Sequence, residues 1–171
     1  MVRTHLKAIL AVFVLISISA AVSWAKAESN AADEAAIKQL VANWSEGFNQ
    51  KDPRACAMLF TEDGDFTSVR GASDHGRPDV EKHYQQVFST FLKNAHRTDT
   101  VRSVHFVSPT IASVDTEFEM IGANAPNSTG TTAHPPRKGL LTWIVTKHDG
   151  RWYISIFHEL DYFKECECSS K

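Results

Sequence analysis

The stretch Lys138–Phe163, KGLLTWIVTKHDGRWYISIFHELDYF, decides the fold. Two runs rich in β-branched and aromatic residues flank Asp149-Gly150, a dipeptide that suits the positive φ angles of a tight hairpin turn. The pattern therefore predicts a long antiparallel hairpin that supplies the middle of a sheet.

The second predicted strand of this hairpin carries the main chemical clue. Side chains alternate along a strand with a period of two, so one face would carry Trp152, Ile154, Ile156 and His158. An apolar face that ends in a histidine predicts an imidazole directed into the interior, where it acts as a general acid or base near neutral pH. The alternative is a core or rim histidine that only hydrogen-bonds to its neighbours.

The amino terminus has the pattern of an export signal. A basic start precedes an apolar stretch over residues 8–22, and Ala25-Lys26-Ala27 is a small-x-small cleavage site. The apolar stretch is shorter than the ~20 residues needed to cross a bilayer. We therefore predict a signal peptide over residues 1–27, a secreted or periplasmic location, and no membrane attachment after cleavage.

The rest of the chain is acidic. Residues 1–27 hold three of the 18 Lys and Arg and none of the 20 Asp and Glu, so cleavage leaves a net charge of −5. The absence of a basic cluster argues against nucleic acid as a partner. The length suits one domain over residues 28–163, followed by a polar tail over residues 164–171. Cys56, Cys166 and Cys168 are an odd number of thiols, so at most one intrachain disulfide can form.

Helical periodicity before the hairpin predicts three helices, and β-type patterns predict one short and two long strands. Three helices followed by strands indicate an α+β domain whose helical stripes cover one face of the sheet. The predicted elements are helices over residues 31–50, 53–60 and 78–92, strands over residues 65–69, 98–107 and 110–123, and a loop over residues 124–136.

Several motifs occur in a fixed order: Asn49-x-x-Asp52, then Leu59-Phe60-Thr61-Glu62-Asp63-Gly64-Asp65-Phe66, then Gly76-Arg77-Pro78-Asp79-Val80. Together they resemble the SnoaL-like branch of the nuclear-transport-factor-2-like superfamily. The ending Gly150-Arg151-Trp152-x-Ile154-x-x-Phe157-His158 is similar to that of the SgcJ/EcaC-type members. The resemblance implies a cone-shaped α+β fold, with a strongly curved antiparallel sheet wrapped around three helices. It also implies a homodimer packed through the sheet, and a pocket reused by isomerases, cyclases, dehydratases and non-catalytic proteins.

The ketosteroid isomerases among these relatives use an aspartate base on the short strand and a tyrosine on the first helix. By resemblance, these two positions hold Ser68 and Trp44, so the usual steroid-isomerase constellation is missing from the sequence. No Gly-rich strand-to-helix turn for a nicotinamide or flavin appears, and no pair of histidines has the spacing of a zinc site. We therefore predict neither a cofactor nor a metal.

The candidate site follows from these placements. His158 is the predicted catalytic residue, His75 and Arg77 are predicted at the mouth, and a solvated turn is the alternative for those two. Alternatively, the tryptophans are core residues, and His83 only lies at the edge of the apolar stripe of its predicted helix. The predicted pocket residues are Trp44, Phe66, Ser68, His83, Trp143 and Trp152.

The predicted function is an exported domain that binds a small, largely apolar molecule in its cone. Cofactor-free proton transfer of the isomerase or dehydratase kind would centre on His158. The alternative is a non-catalytic binding or dimeric assembly module whose pocket is filled by its own aromatic side chains.

Overall fold

The structure is a computed structural model that describes residues 30–124 and 136–162. The compact unit that carries the site begins at Ala36. Helix α1 spans residues 30–50 and precedes eight further elements. These are α2 (Pro53–Ala57), β1 (Phe60–Thr67), β2 (Ser73–His75), α3 (Gly76–Ser89), β3 (His96–Ser108), β4 (Ile111–Ile121), β5 (Arg137–His148) and β6 (Arg151–Asp161).

A tight reversal joins α1 to α2. The Lys51 N–H donates to the Phe48 carbonyl and the Asp52 N–H to the Gly47 carbonyl, which is the Schellman pattern. Lys51 takes the left-handed conformation that this pattern needs, with φ of 59°. The Asp52 side chain then accepts from the Ala55 N–H and caps α2. The chain can therefore turn back and pack α2 against α1.

The α+β class predicted from the sequence is confirmed. All six strands form one sheet in the order β2-β1-β6-β5-β4-β3, so the β5–β6 hairpin lies in the middle as predicted. Asp149 and Gly150 have φ of 49° and 78°, the positive values that the hairpin turn requires. The sheet is antiparallel except at one pair, because β1 runs parallel to β6.

A β-bulge in β6 changes the direction of its side chains. Ile144 on β5 pairs with Ile156, but the next residue, Val145, pairs with Ile154, so Ser155 is an extra residue. One extra residue exchanges the two faces of the strand beyond it. Phe157 therefore points into the core and is fully buried, whereas His158 is exposed on the opposite face.

Aromatic rings from the helices and the sheet meet in the core. Trp44 of α1 packs against Trp143 of β5 with ring centroids 5.3 Å apart and against Phe157 of β6 at 5.1 Å. Phe157 also stacks on Phe66 of β1 at 5.0 Å. Burial, assisted by the Asp52 carboxylate, raises the pKa of the Cys56 thiol to about 12, so this core cysteine stays protonated.

Element boundaries differ from the predicted ones at several points. Helix α2 ends at Ala57 rather than near residue 60, because β1 already begins at Phe60. The short strand β2 lies where no strand is predicted from the sequence, and it pairs with β1 through Phe66 and Asp74. The predicted loop over residues 124–136 lies almost wholly outside the described residues, and the predicted signal peptide and the cysteines of the predicted tail lie wholly outside them. None of the described helices is both long and apolar enough to cross a membrane.

The bulge predicts unequal roles for two adjacent residues. Phe157→Ala should lower the free energy of unfolding by about 3–5 kcal/mol, because it empties a fully buried aromatic position. His158→Ala should change it by less than about 0.5 kcal/mol, because the side chain is exposed. Urea denaturation of both variants measures the difference. Strict alternation without the bulge would reverse the order of the two effects.

Candidate functional site

A cavity of about 230 Å³ lies between α1, α3 and the inner face of the sheet. Its wall is mostly apolar and includes Phe48, Tyr84, Val87, Leu92 and Met120. The volume falls below the common range for ligand sites, about 300–1,000 Å³. Only a small molecule fits in this volume.

A histidine–aspartate pair lies at the wall of the cavity. His83 of α3 lines the cavity, and its Nδ1 is 2.8 Å from Oδ2 of Asp74. Strand β2 positions this carboxylate, because its register places Asp74 beside Phe66, whose ring centroid is 4.7 Å from that of His83. A carboxylate at Nδ1 favours a proton on that nitrogen, which leaves Nε2 as the acceptor of the neutral ring.

The environment keeps this imidazole neutral near pH 7. Burial lowers the pKa of His83 below its ordinary value of 6.5, and the Asp74 and Glu159 carboxylates only partly oppose that effect. A neutral imidazole beside a carboxylate has the form of a general base.

A buried charged cluster forms the other polar part of the cavity. Arg97 at the start of β3 donates from Nε to Asp99 at 2.8 Å and from Nη1 to Glu159 at 2.6 Å. The Ser45 hydroxyl donates to the second oxygen of Asp99 at 2.7 Å. The Asn49 side chain of α1 exchanges two hydrogen bonds with the Arg97 backbone, each 2.8 Å long. These contacts join the C-terminal half of α1 to the start of β3 and to the end of β6.

Electrostatics keep Arg97 charged and the nearby Tyr84 protonated. Burial acts to lower the pKa of Arg97, but the Glu159 and Asp99 carboxylates outweigh it and raise the net pKa. The nearby phenol of Tyr84 is fully buried, and burial raises its pKa well above the ordinary value of 10.0. At neutral pH, the cavity therefore presents a charged guanidinium, a neutral phenol and a neutral imidazole.

The rim of the cavity carries two further arginines. Arg70 is exposed, with its guanidinium carbon 4.8 Å from the centre of the Phe91 ring. Arg137 binds both oxygens of Asp161, at 3.0 and 2.7 Å, so its charge is neutralised within the protein. The half-exposed Ser68 lies at the same rim.

The structure brings four of the predicted pocket residues to one cavity: Trp44, Phe66, Ser68 and His83. Trp143 does not line this cavity, because it is fully buried in the core against Trp44. Trp152 lines a separate, open groove on the molecule and packs against Phe106, with ring centroids 6.1 Å apart.

The two predicted mouth residues lie elsewhere. His75 is exposed and contacts Asp65, with its Nδ1 2.7 Å from the carboxylate, just before α3 begins. Arg77 donates from Nε to the Phe60 carbonyl at 2.7 Å and faces Tyr153. Neither residue lines the cavity with His83, so their predicted position at its mouth is wrong.

The prediction that His158 faces the interior is also wrong. The bulge at Ser155 directs its side chain to the exposed face of the sheet, where it lies opposite Thr142 of β5. The same shift brings Glu159 into the cavity instead. The geometric basis for a catalytic role of His158 is thereby removed.

Sequence reasoning missed Arg97, Glu159 and the role of Asp74. One signal was present, because Arg97 and Asp99 are two residues apart on a strand and must share a face. The sequence did not show whether that face of the strand points into the core or out to solvent. Glu159 and Asp74 had no such signal, since their positions depend on a bulge and on a three-residue strand.

No metal site is evident in the part of the chain that the structure describes. Within residues 30–124 and 136–162, no three His, Cys, Asp or Glu side chains are grouped closely enough to hold a metal ion.

Comparison of the sequence with known families identifies this fold. A family model described as the SnoaL-like domain matches residues 29–158, which is most of the chain. The chain belongs to the SnoaL-like domain family. A search of curated proteins gives no significant match to this SnoaL-like domain.

Solved structures agree with the family assignment. A domain of unknown function with a cystatin-like fold from Nostoc punctiforme is 26% identical, with a TM-score of 0.67 over 78% of this chain and 80% of that one. A putative scytalone dehydratase from Novosphingobium aromaticivorans is 21% identical, with a TM-score of 0.66 over 80% and 88%. LinA is 16% identical, with a TM-score of 0.70 over 79% and 89%. The last two likenesses establish the fold alone.

The His83–Asp74 pair predicts a specific titration. The imidazole should titrate with a midpoint below 6.5, and Asp74→Asn should lower this midpoint further, because the carboxylate raises the pKa against the effect of burial. Histidine ring proton shifts followed by NMR from pH 4 to 8 measure both midpoints.

His75 is an internal control of opposite sign. Its hydrogen bond to Asp65 raises the pKa of this exposed ring, so Asp65→Asn should lower it towards the ordinary value. A His83 midpoint above 6.5, or one that Asp74→Asn leaves unchanged, would contradict the proposed environment.

Proposed function

We propose that this SnoaL-like domain binds a small, largely apolar molecule in the cavity and transfers a proton to or from it without a cofactor. The observation that supports this most directly is the His83–Asp74 pair at the wall of an otherwise apolar cavity. Two solved structures of the same fold are named as a putative scytalone dehydratase and as a ketosteroid isomerase-like protein.

The apolar wall favours an uncharged ligand body. Most of the exposed lining is carbon from aromatic and aliphatic side chains, so a ring or a branched chain gains free energy by leaving water. A cavity of about 230 Å³ favours a body of about one ring.

The proton-transfer step is assigned to His83. Its Nε2 is the basic nitrogen, and Asp74 at Nδ1 stabilises the imidazolium that forms when Nε2 accepts a proton. Because the pKa is lowered by burial, the ring returns that proton readily at neutral pH. Isomerisation and elimination both need a group of this kind.

We also propose a homodimer through the outer face of the sheet. That face carries the exposed Leu160 and Ile121 and the half-buried Ile144 and Ile156, which supports burial against a second copy. Sedimentation velocity over a range of protein concentrations tests this proposal, and a monomer at all concentrations would contradict it. Export of the chain stays a prediction.

Occupation of the cavity is tested with two neutral single-ring probes, toluene and indole. We expect each to bind with Kd of about 1 mM or tighter, as measured by calorimetry. Ser68→Phe at the rim should abolish this binding, whereas Ser89→Phe at the exposed end of α3 should not. Equal binding to both variants would place the probes outside the cavity and contradict the proposal.

Proton transfer is tested with cyclohexanone in D₂O. The protein should accelerate exchange of the protons next to the carbonyl, and His83→Gln should reduce this acceleration by about 100-fold or more, because general base catalysis is lost. His148→Gln, at an exposed histidine on the hairpin, is the control. Exchange followed by ¹H NMR at an unchanged rate in His83→Gln would overturn the assignment.

A further inference from the structure

The carboxylate of Glu159 presents one of its two oxygens to the cavity. Oε1 accepts from Nη1 of Arg97 at 2.6 Å. Oε2 accepts no hydrogen bond from the residues that the structure describes, and it is not among their unpartnered polar atoms that are closed to water. Because Glu159 lines the cavity and 11% of its side chain is exposed, Oε2 is within reach of a ligand.

Hydrogen-bond complementarity restricts the ligand. Nε1 of Trp44, Oη of Tyr84 and Nη2 of Arg97 each have almost no accessible surface, so a ligand does not reach these donors. The side chain of His83 is 16% exposed, and Nε2 of its neutral ring is an acceptor. The accessible polar groups of His83 and Glu159 are therefore acceptors, and a complementary ligand supplies a donor to them.

The charges around the cavity favour a positive donor. Arg97 contributes one positive charge, whereas Asp99 and Glu159 contribute two negative charges. Asp74 adds a third negative charge beside His83, whose ring is neutral near pH 7. A low dielectric strengthens the attraction between this excess negative charge and a cation, and it opposes the entry of an anion.

The arginines at the rim do not cancel this excess. Arg137 is paired with Asp161, so its charge is neutralised within the protein. Arg70 is exposed, and solvent screens its charge from the interior. A positive ligand group beside Glu159 therefore meets a site whose nearest unbalanced charge is negative.

The aromatic wall is compatible with a cation. The guanidinium carbon of Arg97 lies 3.9 Å from the centre of the Phe118 ring, 5.0 Å from that of Trp44 and 5.7 Å from that of Phe48. The protein thus already holds one cation between carboxylates and aromatic faces, an arrangement that stabilises positive charge. Phe66 and Tyr84 add further rings to the wall of the cavity.

We propose that the ligand is a protonated amine on a one-ring apolar body, and that its ammonium group donates a hydrogen bond to Oε2 of Glu159. This inference rests on the proposed function and adds the chemical class of the ligand to it. The carboxylate of Glu159 bridges Arg97 and the ligand, while the ring occupies the apolar part of the cavity of about 230 Å³. A neutral hydroxyl makes a weaker bond, because only one of the two partners is then charged.

Four single-ring probes test the proposal on the unaltered protein. Benzylamine is protonated near neutral pH, as the side chain of lysine is. Benzyl alcohol has the same shape without the charge, toluene lacks the polar group, and benzoate is an anion. In calorimetry near neutral pH and at one salt concentration, benzylamine should bind at least about tenfold tighter than each of the other three.

Two glutamate variants assign the preference to one carboxylate. Glu159→Gln keeps the size of the side chain and an oxygen that accepts from Arg97, but it removes the negative charge. The ratio of benzylamine to benzyl alcohol affinity should therefore fall to about one. Glu46→Gln, at an exposed position on α1, removes the same charge from the surface and should leave the ratio unchanged.

A measurement on the unaltered protein gives the same information without a variant. Bound benzylamine should show nuclear Overhauser effects from its CH₂ protons to the side-chain protons of Glu159, because the ammonium group lies at that carboxylate. Circular dichroism checks that Glu159→Gln is folded, and these contacts decide the question if it is not. Ser68→Phe at the rim should abolish benzylamine binding, which excludes attachment to the acidic surface.

The possible outcomes separate the two proposals. Benzyl alcohol or toluene bound as tightly as benzylamine would overturn the amine preference while the cavity remained a binding site, and so would tighter binding of benzoate. A preference for benzylamine that persists in Glu159→Gln, or contacts of its CH₂ group elsewhere, would overturn the role of Glu159. Failure of all four probes to bind would overturn the proposed function and this inference with it.

Discussion

The buried charge of Arg97 constrains the rest of the structure. A guanidinium removed from water is tolerated only when carboxylates neutralise it and hydrogen-bond to it. Asp99 supplies one carboxylate from two residues further along β3. Glu159 supplies the other from β6, which lies three positions away in the strand order. The side chain of Glu159, at the end of β6, must therefore point into the interior, although regular alternation along that strand would turn it outward.

The bulge at Ser155 makes this inward orientation of Glu159 possible. The extra residue turns Glu159 towards Arg97 and brings Phe157 into the aromatic core, and it turns His158 outward. A single bulge thus positions both the carboxylate of Glu159 and the aromatic ring of Phe157. Bulges next to functional sites commonly redirect a side chain in this way. The cavity lies where this charged cluster meets the apolar stripes of α1 and α3, and His83 completes its polar lining from the helix.

Much of the fold followed from the sequence, because it depends on strong local patterns. The helical periodicity over residues 31–50 and the turn at Asp149-Gly150 each specify their element within a few residues. The family motifs then specify the topology. Three cavity residues, Trp44, Phe66 and His83, were identified for the same reason, since each belongs to a regular element with a known face, whereas Ser68 directly follows β1.

The errors have a common physical origin in departures from regular alternation. The run Ile154-Ser155-Ile156-Phe157 is compatible with either face, because apolar residues occupy both phases beyond Ser155. A bulge is chosen there by long-range pairing with β5 and by the charge of Arg97, which no local pattern reports. Strand β2 is only three residues long, so the contact of Asp74 with His83 was equally inaccessible from the sequence.

A double-mutant cycle on Arg97→Met and Glu159→Leu measures the central constraint directly. If the inward glutamate neutralises the buried arginine, the free energies of unfolding should be strongly non-additive. We expect a coupling energy of about 1–3 kcal/mol. Each single variant should lose more stability than its change in side-chain size explains, because it leaves the remaining charge buried without its partner. Additive effects, to within about 0.3 kcal/mol, would show that the two side chains do not meet in the interior and would contradict the bulge that joins them.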